Sequence, residues 1–291
     1  MDADIQKIAA GEKLPQFDLP VDIIVYDNVH ADLLKCYASF PCKIEACIFC
    51  YVVSGNVTAT INLWDYEIRA HDFVVIMPGS FLQIKDVSSD LRVAFEGFSS
   101  AFLKRMNFWK MLSPIMLQVF QSPVFSLEPK LADIFSDIFS VMTRINDYSS
   151  AFQAGSIAQN AMALTIDILS NAIKSHRLRG DRRPTTREQE IVAQFLQIAF
   201  ENYREEHRIS FYAQEANLTL SHFCNVISKS IGMTPQEVIM NLIIMDAKTQ
   251  LKRTSHTAAR ISASLNFSTP TSFNRYFRKY TGMTPQEYRK S

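Results

Sequence analysis

The chain reads as an α+β multidomain protein. An antiparallel β sandwich or barrel comes first, helices follow it, and an all-α C-terminal domain carries two helix-turn-helix units joined by a long helix. Three observations carry this reading. In residues 22–98, short apolar or alternating runs are punctuated by turn residues such as Ser54-Gly55-Asn56 and Pro78-Gly79. Beyond Ser99, apolar residues recur at spacings of three and four, the helical period. Near the end, six residues occur twice, fifty positions apart: Gly232-Met233-Thr234-Pro235-Gln236-Glu237 and Gly282-Met283-Thr284-Pro285-Gln286-Glu287.

Residues 1–20 form an arm in which Pro15 and Pro20 interrupt any regular element. Residues 21–100 form the β domain. Expected strands are 23–26, 45–53, 57–63, 73–77, 81–84 and 91–98, with Val57, Ala59, Ile61 and Leu63 sharing one face. A barrel of this size can enclose one small ligand. Trp64, Tyr66 and Arg69 would line a pocket or lie on the surface with equal ease, so no ligand-binding residue is assigned. The six His are scattered and never paired at ligand spacing, so no metal and no cofactor are expected; His71-Asp72 reads as a turn pair before a strand.

Five Cys and no secretory leader pattern point to reduced thiols. Cys47 and Cys50 have the C-x-x-C form, but on a strand residues three apart face opposite sides, and core packing is the better reading. No apolar run is long enough to span a bilayer, and the cytoplasm is the expected compartment. P-loop, G-x-S-x-G and dinucleotide fingerprints are missing from the sequence, so an enzyme is not expected.

Residues 101–176 form a helical segment. Residues 108–125 read as helix or strand with equal ease. Clear stripes follow over 129–145 (Leu131, Ile134, Phe135, Ile138, Phe139, Met142, Ile145) and 151–175 (Ile157, Ala161, Leu164, Ile168, Leu169, Ile173). They serve either packing against the barrel or a dimer seam. Residues 177–184, with four Arg and ending at Pro184, form a linker. Residues 185–291 form the C-terminal domain, with a net charge of +5 over 181–291 against −4 over the remainder. A basic module joined to an acidic one fits nucleic-acid binding.

In each hexapeptide Gly supplies a left-handed C-cap and Thr an N-cap. Pro takes the first helical position, and Glu completes a capping box. The repeat extends upstream: Thr219 matches Thr269, Phe223 matches Phe273, and Lys229 matches Lys279. The first unit has residues 210–216 as supporting helix and 220–230 as recognition helix; the second has 258–265 and 270–280. Residues 235–252 join them as one helix of roughly 27 Å, a length that spaces two recognition helices about one DNA turn apart.

The ordered set Ile261-Ser262, Asn266-Phe267, Ser272-Phe273, Arg275, Phe277-Arg278-Lys279, Gly282-Met283-Thr284-Pro285 and Tyr288-Arg289 resembles the AraC/XylS family of bacterial transcription regulators. The N-terminal part resembles that family's cupin-like sensing domain. Asn266 stands where the family usually has Gly, and Asn tolerates the left-handed conformation. The resemblance implies a sequence-specific DNA-binding regulator, often an activator. Its implied partners are double-stranded DNA, RNA polymerase, a small-molecule effector and a second copy of the chain.

Carried onto this sequence, the family's base-contacting positions are Ser221 and Asn225 in the first unit, Thr271 and Arg275 in the second. Arg suits guanine and Asn adenine in the major groove. Thr219, Lys229, Thr269, Arg278 and Lys279 are expected at phosphates. Phe223, Ile227, Phe273 and Phe277 are core anchors. The first recognition helix departs from the family pattern, with Asn225 and Ser228 where basic residues are common. The alternative is a protein-interaction module whose helix-turn-helix units bind no DNA.

Overall fold

A computed structural model describes residues 16–31, 42–62, 64–106, 108–148, 155–176 and 186–291. Most of the arm, Cys36, Leu63 and the whole 177–184 linker lie outside the described residues. The β domain contains β1 (Gln16–Phe17), β2 (Ile23–His30), β3 (Cys42–Ile44), β4 (Cys47–Ser54), β5 (Asn56–Ile61), β6 (Trp64–Arg69), β7 (Asp72–Ile76), β8 (Ser80–Val87) and β9 (Arg92–Phe98). The helices are α1 (Ser100–Arg105) and α2 (Phe108–Gln121), then, after β10 (Val124–Ser126), α3 (Pro129–Tyr148) and α4 (Gly155–His176). The C-terminal domain is α5 (Thr186–Asn202), α6 (Ile209–Glu215), α7 (Leu220–Ile231), α8 (Pro235–Arg253), α9 (Ala258–Ser264), α10 (Pro270–Thr281) and α11 (Pro285–Lys290).

Two five-stranded sheets face one another, in the orders β1-β3-β8-β5-β6 and β10-β7-β4-β9-β2. All pairs are antiparallel except β1 with β3. Alternation decides which residues meet between the sheets: Val57, Ala59 and Ile61 of β5 face Val74 and Ile76 of β7 and Val93 of β9 in one apolar cluster. The outer face of the second sheet is buried as well. There Phe49, Phe73 and Phe98 meet Phe102, Phe135 and Phe139 of the following helices, with Phe73 and Phe135 ring centroids 4.5 Å apart. Burial on both faces explains why β7 and the start of β4 read as continuous apolar runs rather than alternating ones.

Cys47 and Cys50 divide between these layers, Cys47 outward toward the helices and Cys50 inward. Burial raises both thiols, Cys50 to about 12, so both stay protonated. Residues 108–121 are helical despite Pro114, and the strand character of 124–126 belongs to β10, which pairs with β7. The stripes on α3 and α4 divide too. Phe135, Phe139, Leu169 and Met162 are buried against the sheet and helices, whereas Ile134, Val141, Ile145 and Leu164 remain exposed.

The C-terminal domain meets the β domain through α5. Trp109 of α2 stacks on Phe200 at 6.3 Å, and Phe200 also covers the turn at Gly79. Gly79 has φ +84, and a Cβ there would come within 2.8 Å of the Phe200 ring. Glycine is therefore required twice over, by backbone conformation and by the contact.

Candidate nucleic-acid interface

Each helix-turn-helix unit is built by local capping and then clamped by aromatic packing. Thr219 caps α7, accepting a hydrogen bond from the His222 backbone N–H; Thr269 caps α10 in the same way through Ser272. Gly232 and Gly282 close the two helices with φ of 81° and 76°. The next helices start with reciprocal capping boxes, Thr234 with Glu237 and Thr284 with Glu287. Hydrogen bonds from the Thr backbone N–H and hydroxyl hold the Glu237 and Glu287 carboxyls below their usual range. In both turns Asn takes the left-handed conformation, Asn217 at φ 54° and Asn266 at φ 52°.

Phe223, Ile227, Phe273 and Phe277 have no exposed surface. Phe195 of α5 meets Phe223 edge-on at 5.3 Å, and Phe273 meets Phe267 at 5.4 Å. This burial turns the opposite stripe of each recognition helix outward, because a residue two positions from an anchor points about 200° away around the axis. Ser221, Asn225 and Lys229 on α7 and Thr271, Arg275, Arg278 and Lys279 on α10 are all exposed on those outward stripes. Thr219 and Thr269 are exposed at the N-termini with their hydroxyl oxygens already accepting backbone bonds, which leaves each O–H to donate outward. Sequence reasoning passed over exposed His222 and Asn274, which flank the same stripes and were within reach of the helical period.

The segment between α5 and α6 touches the turn of the second unit. Asn266 Nδ2 donates to the Glu205 carbonyl at 2.6 Å, and the His207 ring lies edge-on to Phe267 at 5.3 Å. The bridging helix α8 has 19 residues, about 28 Å, and lies between the two units.

A model described as a helix-turn-helix domain matches residues 212–291, a span that contains both recognition helices. The Msm operon regulatory protein of Streptococcus mutans is 24% identical over 285 residues, covering 94% of this chain and 93% of that protein. Residues 212–291 form an AraC-type helix-turn-helix domain. The chain is a DNA-binding transcription regulator. An HTH-type transcriptional regulator of Mycobacterium tuberculosis, Rv1931c, is 33% identical over 85 residues, only 29% of this chain and 33% of that protein's length. The structure of ToxT from Vibrio cholerae covers 93% of this chain and 94% of its own, at 12% identity and a TM-score of 0.43.

The β domain has a cavity of about 160 Å³ between its two sheets. Its walls include Phe17, Tyr26, Cys50, Ala59, Ile84 and Phe95, and almost all of its surface is apolar. The sequence did not single this cavity out, since ordinary core alternation looks the same whether or not the space between sheets is filled. Trp64 and Tyr66 lie elsewhere, in a narrow cleft against α8 that includes Met233 and Asn241. Arg69 is exposed and pairs with Glu67 at 2.8 Å. Among the described residues there is no group of three metal-ligating side chains and no helix long and apolar enough to cross a membrane.

Proposed function

We propose that the regulator reads two adjacent major grooves with unequal units, the second supplying most of the charge. Arg275 at the centre of the outward face of α10 carries this reading. Its position, two residues from buried Phe273 and Phe277, leaves it exposed and pointing away from the core. Arg275 and Thr271 contact bases from the second unit, Asn225 and Ser221 from the first. Arg278, Lys279 and Lys229, with the capping Thr219 and Thr269, sit at phosphates. In binding to fragments of its own genome across a salt series, Arg275→Ala should lose about 1–3 kcal/mol of specific affinity and relax one base position. Unchanged affinity and selectivity would remove Arg275 as a reader, and a flat salt dependence in the wild type would sink the DNA interface as drawn.

The domain division is read as 21–100 for sensing, 101–176 for helical packing and 185–291 for DNA, acting in the cytoplasm and without enzymatic activity. Ile134, Val141 and Ile145, with half-buried Ile138 between them, leave an apolar stripe at heptad-like spacing on α3. That stripe supports a homodimer. Two chains per protected site in the same titration is the expected result, and one chain would discard it. Activation through RNA polymerase follows from the family resemblance.

The cavity walls support an apolar effector. A sugar needs convergent hydrogen-bonding groups, which this lining lacks. The relatives named for raffinose, lactose and melibiose operons match only 30–37% of this chain, so their sensing parts do not carry over. Ala59→Phe, which fills the cavity, should abolish uptake of an uncharged naphthalene probe while leaving the fold intact. Undiminished uptake would place the effector elsewhere.

A further inference from the structure

Asp246 sits on α8 with 1% of its surface exposed. Its carboxylate accepts hydrogen bonds from Tyr203 Oη at 2.8 Å, from Arg204 Nε at 2.5 Å and from Gln250 Nε2 at 3.1 Å. Gln250 extends the chain: Ser264 Oγ lies 3.0 Å from its Oε1 and 2.9 Å from the Ile261 carbonyl, one hydroxyl proton being shared between the two acceptors. Tyr203 and Arg204 follow α5, whose Phe195 packs on Phe223 of the first unit, and Ser264 ends α9, the supporting helix of the second. One buried carboxylate thus ties both units to the helix that separates them.

A buried charge is costly, and an apolar residue would pack α8 at least as well. Such a residue would leave the helices free to slide, whereas a carboxylate filled by donors from separate segments accepts few geometries. The β domain reaches the same cluster. Lys43 of β3, paired with Glu45 at 3.0 Å, lies over the Tyr203 ring at 5.3 Å. Ile44, its neighbour, lines the cavity.

We infer that Asp246 is the positioning residue that sets the separation of the two recognition helices, and so the half-site spacing the protein accepts. This rests on the two-groove reading above. The test uses full-length protein and duplexes enriched by the wild type from a random-sequence pool. Each duplex is compared with a version carrying one base pair inserted between the half-sites, and with a single half-site. The wild type should lose roughly tenfold or more on insertion, the scale of a misplaced base pair.

In Asp246→Leu that penalty should shrink to about threefold or less, with half-site affinity unchanged. Ser264→Ala should shrink it in the same direction; it leaves the Asp246–Arg204 pair intact and decides the matter should the Leu variant not fold. Retention of the full penalty by Ser264→Ala would overturn the proposal. So would a loss of half-site affinity in proportion to the whole site, the mark of a merely structural role. Half-site binding by the wild type reports on the DNA reading itself, independently of the spacing ratio.

Discussion

Between pH 4.5 and pH 8 the protein should lose on the order of 5 kcal/mol of stability through one side chain, Glu96. Glu96 lies on the outer face of β9, level with Phe49 of β4 and Val25 of β2, and has no exposed surface. Neither carboxylate oxygen has a hydrogen-bond partner. The polar groups facing it are the Thr165 hydroxyl of α4 and the Cys47 thiol, and neither supplies a positive charge. Burial raises its pKa from 4.5 to about 8, and the Thr165 hydroxyl, near but outside hydrogen-bonding distance, relieves little of that rise.

The sign follows from linkage. The folded state holds the proton more tightly than the unfolded chain, so the stabilisation is complete below about pH 4.5 and is lost as pH rises through about 8. At about 1.4 kcal/mol per unit, a shift of this size gives the stated total. Glu96→Gln removes the titration and keeps the shape. Denaturant unfolding in pH steps should show the wild-type curve falling by about one proton's slope relative to the variant across that window. Parallel curves would mean that Glu96 finds a partner or water in solution.

Phe273→Ala should cost about 3–5 kcal/mol and remove the second unit's grip on DNA. The ring has no exposed surface and is held by Phe267 and Phe277, at 5.4 and 5.8 Å. Helix α10 has 12 residues, too few to persist alone, so its order depends on this anchor. Loss of helical signal, new proteolytic cutting near α10 and a retained β domain are expected together. Arg275→Ala, two residues away, should leave stability within about 0.5 kcal/mol because its side chain is exposed. A Phe273→Ala protein as stable as wild type would show that the anchor assignment is wrong.

The C-terminal domain was the legible part of this protein. The expected helices 220–230, 235–252, 258–265 and 270–280 fall within about a residue of α7 (Leu220–Ile231), α8, α9 and α10 (Pro270–Thr281) at nearly every end. Their boundaries are set by hydrogen bonds between residues three or four apart: Thr234 to Glu237, Thr284 to Glu287, and the left-handed Gly232 and Gly282. The burial of Phe223 and Phe273 followed from their spacing, and with it the outward face on which Arg275 stands.

The β domain was harder to read. Strands β2, β4, β5, β7, β8 and β9 were expected, but the polar run of β6 hid an edge strand, and Pro114 obscured α2. The groups that matter most beyond the recognition helices look ordinary as letters. Glu96, Lys43 and Asp246 are charged residues of the kind that usually lie in water. Their burial depends on α4 closing over β9, on β3 meeting Tyr203, and on α5 and α9 converging on α8. Caps and turns are decided within a few residues, where each hydrogen bond closes locally. The apolar cavity and the buried carboxylates are decided by which distant surfaces exclude water together, and only the folded chain brings those surfaces into contact.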